Sequence, residues 1–512
     1  MGDSYTIGID AGSSSIKIGM FNRIGNMVAM ERLPIEQLQE YHHQTSHEYD
    51  SESWWRAVTF GIRKLVEKTG VSPNAIAAVG LTGQIGTHII LDRKGVPLLP
   101  AIGWQDNRAS REAAWLDSVY PDSDLDDLLG IHLPSGTAWP IPRLLWLQNN
   151  YPEIIEKGFI LLQPKDYIGF RLTDTICTDT LSLRGLVNPR NQKIDSRIET
   201  EILKMDGIKE CLPVFCDPTK NSETITHDAA CATGLLEGTP VLTGCGDFHA
   251  SLIGSGIVDE SCGFNITGTS EHIGILCGHD NHNAYDLRLG RYPHVVDGYD
   301  VLYGATSAGG GSIQWFCNKF LPEIDKNLFE NEIEMRMRKI PDLQGILFLP
   351  YLNGERAPIW NSDARGVFFG LEATHGIDQM LQAVFEGVAL SLYDCWAVIG
   401  EHVQMPEMLR VAGAASTNGL WNQMKADVFG IPVTTMQCKE STCLGAAIIA
   451  AVGAGWYPDL TNAISQMTHI GSSYVPEERS TNRYRKMFSM YRKLYGLLKP
   501  LFSDLASFRS QT

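Results

Sequence analysis

The 512-residue sequence contains no CxxC pair, and none of its eleven cysteines stands at zinc-type spacing from a histidine. Cys211/Cys216 and Cys438/Cys443, each pair with four residues between, are weak as metal signals, so free thiols in a reducing compartment are expected. No apolar run approaches the roughly 18–20 residues that span a bilayer. No basic, apolar leader opens the chain either: Met1-Gly2-Asp3-Ser4 runs straight into the strand-like Tyr5-Thr6-Ile7-Gly8-Ile9, and a cytoplasmic protein is expected. Positive charge is in deficit, since 42 basic against 59 acidic residues leave −17. Such a chain repels phosphate backbones and anionic lipid, so neither nucleic acid nor membrane is expected as a partner. A small anion such as a nucleotide stays compatible, because loops and a metal ion can reverse the local field. No GxxxxGK[ST] loop is present, which excludes a Walker-type nucleotide site.

What is present is globular: 44% hydrophobic and 20% charged residues. The length is too great for one core, so two domains are expected, residues 1–255 and 256–512. The opening reads as a strand (Thr6 to Asp10), a small-residue turn, a second strand (Ile16 to Phe21) and, past Gly25-Asn26, a third (Met27 to Leu33). Trp54, Trp55, Val58, Ile62, Leu65 and Val66 share one stripe and predict a helix over Ser51–Thr69. Strands follow near Ile76–Leu81 and His88–Leu91, with helices near Ala109–Val119 and Ile141–Asn149. Further on, helices are expected near Ala305–Phe316, Gln379–Ile399, Trp421–Phe429 and Leu444–Val452, with an amphipathic stretch over about Glu477–Leu501. Alternating strands and helices predict an α/β architecture.

Two turns carry phosphate chemistry. A strand ending in Asp10 and turning through Gly12-Ser13-Ser14 presents backbone N–H groups in one concavity, a nest for an anion. Asp10 could hold a metal ion or its waters, and Lys17 could add positive charge. A plain hairpin with a small-residue turn is the competing reading. Shifting the chain by half its length lays Gly12-Ser13-Ser14 on Gly268-Thr269-Ser270, again a strand into a turn, which suggests a duplicated domain. A third Gly-rich segment runs from Val411 through Gly413, Ala414 and Asn418 into a helix-like stretch, a ready nucleotide site.

With these segments in order, the chain resembles the FGGY carbohydrate kinases of the actin-like ATPase superfamily, nearest the xylulokinase-like branch. The resemblance rests on Gly8-Ile9-Asp10-Ala11-Gly12, Trp104-Gln105-Asp106-Asn107-Arg108, Pro164-Lys165-Asp166-Tyr167, Gly244-Cys245-Gly246-Asp247, Gly268-Thr269-Ser270, Leu349 to Pro358, Phe385-Glu386-Gly387 and the Gly413–Phe429 segment. It implies two actin-like (ribonuclease-H-like) α/β domains around a central cleft. It also implies transfer of the γ-phosphoryl group of ATP, with Mg2+, to a hydroxyl of a small ketose or polyol. Asp247 falls on the catalytic base. Asp10 falls on the acid that helps position magnesium, with Asp247 as a second metal-facing carboxylate. Gly12, Ser13, Ser14, Lys17, Gly268, Thr269 and Ser270 fall on the phosphate turns, and Gly413, Ala414 and Asn418 on the adenosine segment. Gln84, Ile85, Trp104, Asp106, Asp247 and Phe248 fall where the family lines its sugar pocket. The implied partner is a small-molecule sugar, with homodimerisation left open.

The residues alone leave alternatives. Asp247 could simply cap a helix starting at Phe248, and Asp106 with Arg108 could cap a surface loop. Glu355 and Arg356 could form a structural pair, and His88 and His249 could be core histidines rather than sugar ligands. Xylulokinases usually read Gln-Met-His-Gly where this chain has Gln84-Ile85-Gly86-Thr87, and an amide where it has Phe248. The sugar therefore stays open among ketoses, gluconate, glycerol and sedoheptulose. An actin-like ATPase working by conformational change, or an inactive sugar sensor, are the non-kinase alternatives.

Overall fold

A computed structural model describes residues 4–35, 37–38, 47–132, 136–220, 222–281, 285–323, 329–338 and 345–510. Met1–Asp3, which bear on the leader, lie outside them. The chain forms two compact units. The first is Met1–Val258 with Tyr292–Tyr299 and Glu440–His469; the second is Asp259–Arg291 with Asp300–Lys439 and Ile470–Thr512. Both are sheet-rich, and the fold is α/β as expected.

In the first unit, β1 (Tyr5–Ala11), β2 (Ser15–Asn22) and β3 (Met27–Pro34) form an antiparallel meander. β4 (Ile76–Gly83) pairs with β1 in parallel, and β5 (Ser222–Thr224) and β6 (Pro240–Gly246) complete the order β5-β6-β4-β1-β2-β3. Ile7, Ile9, Ile16 and Ile18 are fully buried, because β-branched side chains fill a pleated face well. Helix α1 (Ser51–Thr69) starts where the Asp50 carboxylate accepts the Glu52 N–H, buries the Trp54, Val58, Ile62 and Leu65 stripe, and stops at left-handed Gly70. α2 (Pro164–Thr173) follows, and α3 (Asp247–Gly254) leaves directly from the end of β6.

The second unit repeats the plan. β7 (Gly263–Thr267) pairs antiparallel with β8 (Glu271–Gly278). β9 (Gly290–Pro293) is an edge strand, from which the chain enters the Tyr292–Tyr299 excursion, and β10 (Tyr299–Thr306) lies beside it. β11 (Leu409–Gly413) and β12 (Val433–Met436) run parallel to β7, and β13 (Ile470–Tyr474) closes the order β9-β10-β8-β7-β11-β12-β13. The two sheets thus share a hairpin, two parallel strands and an antiparallel edge, to which β3 is added in the first and β9 and β10 in the second. Helices α4 (Gly310–Phe320), α5 (Ile377–Ile399) and α6 (Gly419–Phe429) belong to this unit. The helix expected over Ala305–Phe316 is displaced: β10 continues to Thr306 and α4 begins only at Gly310. The glycines before it are spent on a close approach described below.

The chain then returns to the first unit as α7 (Ser441–Gly453). A Cβ at Gly8 would sit 2.0 Å from the Cys443 carbonyl oxygen, and one at Gly80 2.0 Å from that of Ala446. Bare glycines on β1 and β4 therefore let the α7 backbone lie on the sheet itself. α8 (Glu478–Ser510) ends the second unit. Among the described residues, no helix is long and apolar enough to cross a membrane.

Candidate active site

The site of the first unit is built on the adjoining ends of β1, β4 and β6. Asp10 is buried at the end of β1. Burial pushes its carboxyl up to about 7, with Lys17 opposing the rise and Asp247 and Glu440 adding to it. Lys17 Nζ lies 4.0 Å from Asp10 Oδ2 but 2.9 Å from Glu440 Oε2. Burial works against its charge, yet the Asp10 and Glu440 carboxylates hold its pKa above the ordinary lysine range. The turn Gly12-Ser13-Ser14 is fixed from behind: Trp54 Nε1 donates to the Gly12 carbonyl at 3.3 Å and Ile35 N to that of Ser14 at 2.9 Å. The front of the turn stays accessible, with Ser14 exposed.

Asp247 is the first residue of α3, half-buried, and its Oδ1 accepts the Phe248 N–H at 2.7 Å. Burial raises its pKa, while that hydrogen bond and the charges of Arg184 and Lys17 pull it down. The strand that delivers it carries a β-bulge between Leu242 and Cys245. Gly244 there has φ +64°, and a Cβ would lie 1.7 Å from the Leu81 carbonyl oxygen, so only glycine lets the bulge turn Asp247 outward. Thr82 Oγ1 donates to the Cys245 carbonyl at 2.7 Å and locks the strand end. Behind it, Lys165 Nζ donates to Asp166 at 2.6 Å and to the Thr243 carbonyl at 3.3 Å, and lies 2.8 Å from Asp179, all fully sequestered from water.

Gln84 and Ile85 come to the same place. Gln84 N donates to the Ala11 carbonyl at 3.0 Å, and a Cβ on Gly246 would meet Ile85 Cγ1 at 2.6 Å. Gln84 is 4% exposed, yet among the described residues neither its Oε1 nor its Nε2 has a hydrogen-bond partner. An orphaned amide in the strand-end cluster of buried Asp10 and half-buried Asp247 is what a polyhydroxylated ligand would satisfy. Trp104 is 45% exposed, with its N–H on Thr87 Oγ1 at 3.1 Å. Asp106 is buried with its carboxylate committed: Oδ1 accepts the N–H and Nε–H of Arg108, and Oδ2 accepts His47 N–H and Arg108 Nη2. Those bonds hold its pKa below the usual range against the effect of burial. Phe248 packs against Tyr292, ring centroids 6.2 Å apart. His249 is likewise occupied, donating Nε2–H to the Pro293 carbonyl at 3.1 Å, and burial pushes it down to about 4. His88 is buried 3.4 Å from Arg143 and held neutral by that burial, and among the described residues its Nε2 has no partner.

In the second unit, the Gly268-Thr269-Ser270 turn is clasped by the start of α4. Gly310 N donates to the Gly268 carbonyl at 2.9 Å and Gly311 N to that of Thr269 at 3.0 Å. A Cβ on Gly309 would meet the Glu271 side chain at 2.9 Å. Thr267 Oγ1 donates to the Ala412 carbonyl at 2.9 Å and accepts from Ala415 N at 3.0 Å, which brings the phosphate turn beside the Gly413 segment. Of Ala414 only the backbone is described, in a short 3-10 turn. Asn418 caps α6 by accepting the Trp421 N–H at 3.0 Å. Behind both segments, Lys425 Nζ donates to Asn265 at 2.6 Å and to Glu271 at 3.0 Å.

Among the described residues, Glu355 and Arg356, which could have formed a structural pair, make no side-chain ion pair with each other. Glu355 instead accepts the backbone N–H groups of Ser307 and Arg356, while the Arg356 guanidinium donates to the Thr306 carbonyl at 2.8 Å. Elsewhere among the described residues, ligand atoms of Asp286, Glu401 and His402 lie within 4.8 Å of one another. Arg288 contacts Asp286 at 2.6 Å and Glu401 at 2.5 Å and already supplies the positive charge there. Lys165 and Asp166 were read only as a family segment, without the buried triad they form with Asp179, and the glycines that open α4 and Arg184 were missed in the sequence. A Gly-Gly-Gly run was the one available signal.

Asp10 and Asp247 suit Mg2+, since both offer hard carboxylate oxygens and both are raised in pKa by a burial that a cation would offset. The nucleotide fits in character too: both small-residue turns leave backbone rather than side chain for phosphate to approach.

Residues 5–254 match the FGGY family of carbohydrate kinases, N-terminal domain, and residues 263–454 its C-terminal domain. A xylulose kinase of Bacillus subtilis (strain 168) is 29% identical over 514 residues, covering 99% of each chain. An L-xylulose/3-keto-L-gulonate kinase of Escherichia coli (strain K12) is 28% identical over 503 residues, 97% of each. The crystal structure of a gluconate kinase from Lactobacillus acidophilus superposes with a TM-score of 0.87 at 26% identity, covering 98% of this chain and 100% of that one.

Proposed function

The chain belongs to the FGGY family of carbohydrate kinases, which are ATP-dependent and use Mg2+, and on that premise we propose that Asp247 is its general base and Gln84 a sugar ligand. The carrying observation is the raised, half-buried Asp247 carboxylate at the start of α3, in the same strand-end cluster as an unpartnered buried amide. A carboxylate raised by burial accepts a proton more readily than a solvated one. Asp247 takes the proton of the acceptor hydroxyl as that oxygen bonds to the γ-phosphorus and ADP departs. Mg2+ supplies neutralisation of phosphate charge, and Asp10 and Asp247 are the carboxylates that would hold it. Gly12, Ser13, Ser14, Lys17, Gly268, Thr269 and Ser270 would face the phosphates, and Gly413, Ala414 and Asn418 the adenosine. Ile85, Trp104 and Phe248 would wall the acceptor, while Asp106 shapes that wall through Arg108 rather than offering free lone pairs.

In domain terms, sugar, first turn and base fall to residues 1–255 and the second turn and adenosine to 256–512, with Glu440–His469 folding back into the first unit. The acceptor is a small ketose, polyol or sugar acid; the xylulose, 3-keto-L-gulonate and gluconate kinases the chain resembles support the ketose and the sugar acid. All eleven cysteines are free thiols, which supports a cytoplasmic setting. A homodimer is the assembly to seek by sedimentation. The deciding experiment is coupled ADP release over pentuloses, hexuloses, heptuloses, aldonates and polyols. ATP hydrolysis without any acceptor dependence would instead support an actin-like ATPase, and sugar binding without turnover an inactive sensor.

A further inference from the structure

Arg184 is a cation beside the candidate base that nothing in the kinase reading uses. It follows a 3-10 turn, Thr180–Leu183, whose start is fixed by Asp179 accepting the N–H groups of Leu181 and Ser182. The next residue, Gly185, abuts Trp139: a Cβ there would lie 2.9 Å from the indole ring. The turn thus aims the Arg184 guanidinium across the Tyr292 ring, 5.4 Å from its centroid, and Tyr292 is the ring against which Phe248 and His249 pack. Among the described residues its guanidinium makes no hydrogen bond and no ion pair, although it is half-buried.

We propose that the Arg184 guanidinium receives the carboxylate of an acidic acceptor, so that the preferred substrates are sugar acids of the aldonate class. The inference deepens the kinase reading and rests on it. Three observations carry it. A half-buried guanidinium that rests on a ring but has no hydrogen-bond or ion-pair partner among the described residues is incomplete, and its planar fork matches a carboxylate in a bidentate way that an ammonium cannot. Its surroundings are those of the acceptor rather than of the nucleotide: Trp139 follows Ala138, which lies against Gly86 and Trp104, as a Cβ at Gly86 would meet Ala138 Cβ at 3.1 Å and Trp104 Cβ at 3.4 Å. Finally, an anionic acceptor approaching Asp247 and Asp10 needs a compensating charge. Lys17 is engaged by Glu440, whereas Arg184 has no anionic partner among the described residues and already acts on Asp247 electrostatically.

The test compares Arg184→Gln and Arg184→Lys with the wild type by ADP release. The acceptors are pentonates and hexonates set against their neutral pentitols, hexitols and ketoses. The wild type should prefer an aldonate. In Arg184→Gln the ratio of kcat/KM for that aldonate to kcat/KM for its neutral counterpart should fall by about 100-fold, the worth of a charge-assisted contact. The loss should appear in KM for the acceptor and not in KM for ATP. Arg184→Lys keeps charge and stem but not the fork, and should fall by about 10-fold, which preserves the test if the glutamine variant folds poorly. An unchanged ratio, or a wild type that neither turns over nor binds any aldonate, overturns the proposal. So does a rise in KM for ATP with every acceptor slowed equally, because the arginine would then serve the transferred phosphoryl group. Calorimetric aldonate binding that Arg184→Gln abolishes, without turnover of any acceptor, would keep the Arg184 site and overturn the kinase reading.

Discussion

Lys17 and Glu440 meet at 2.9 Å, ammonium to carboxylate, although they come from opposite ends of the sequence. Glu440 immediately precedes α7, the helix that returns to lie on the glycines of β1 and β4. The cation expected to serve phosphate is therefore divided between a carboxylate at the end of its own hairpin and one brought in by tertiary structure.

Lys17→Met should raise KM for ATP by about 10-fold, the lower end for a charge-assisted contact because Glu440 already shares the ammonium. Glu440→Gln should lower it, because the freed ammonium and the missing negative charge both favour phosphate. Stability should change by less than about 1 kcal/mol in Glu440→Gln, as for most partly exposed pairs. Steady-state kinetics with ATP varied would decide. If both variants raise KM equally, the pair is only a clip between β2 and α7.

Asp247→Asn should lower kcat by roughly 10²–10⁴, the usual contribution of a general base. Asparagine can still accept the Phe248 N–H, so the start of α3 and the affinity for ADP should survive. Turnover near that of the wild type at saturating acceptor would reduce Asp247 to a helix cap.

Local pattern made much of this fold legible. The Trp54, Val58, Ile62, Leu65 stripe alone located α1, while the Asp50 cap and the Gly70 stop that fix its ends are seen in the structure. Asp10 and Asp247 stood out because glycines flank strand-end acids. What was hidden depends on distant partners. Ala305 to Gly309 read as helix until Gly310 and Gly311, the first residues of α4, are seen to clasp the Gly268 turn. The small residues of α7 gave no sign that they fold against Gly8 and Gly80. Asp106 looked like a sugar ligand, and its commitment to Arg108 and His47 shows only in three dimensions. Arg184 has no periodic context at all.

Gly86→His, which would place the xylulokinase-type imidazole, should not confer activity on D-xylulose. Gly86 has φ +87°, a conformation costly for any Cβ-bearing residue, and its Cβ would press Ala138 at 3.1 Å. The variant should lose about 1–3 kcal/mol of stability from backbone strain and overpacking. Denaturant midpoints together with D-xylulose turnover check it. A stable variant with improved D-xylulose turnover would show that this wall tolerates the imidazole.

Stability should fall as pH rises from about 4.5 to about 7, in part through Glu386. This carboxyl is buried on α5, accepts from Gln382 at 2.8 Å and Tyr484 at 3.4 Å, and is pushed up to about 7 by burial. Between those limits the folded chain holds a proton that the unfolded chain releases, so raising pH favours unfolding; above the folded pKa the effect is constant. Glu386→Gln removes this titration. The stability of the variant relative to wild type should rise by about 3 kcal/mol between pH 4.5 and pH 8. Glu355, also near 7, leaves a residual slope in both proteins. Urea midpoints across that range would test it, and a constant difference would mean that Glu386 stays charged throughout.

Lys425→Met should be among the most destabilising single changes in the second unit. The ammonium is fully buried, 2.6 Å from Asn265 Oδ1 and 3.0 Å from Glu271 Oε2, and lies 4.0 Å above the Trp421 ring. Burial lowers its pKa, against the pull of Glu271. Removing it strands the Glu271 carboxylate without a countercharge, a loss of about 3–5 kcal/mol. Replacing both partners, as in Lys425→Met with Glu271→Leu, should recover much of that, because the desolvation penalty disappears with the second charge. The triad also ties β7 and β8, on either side of the Gly268 turn, to α6, which carries the Asn418 cap. The double variant should therefore regain stability while keeping a raised KM for ATP. Unfolding curves and ATP kinetics on both variants separate the two effects. A double variant with wild-type KM for ATP would show that Thr267, bonded to both Ala412 and Ala415, holds the two nucleotide segments together without help from behind.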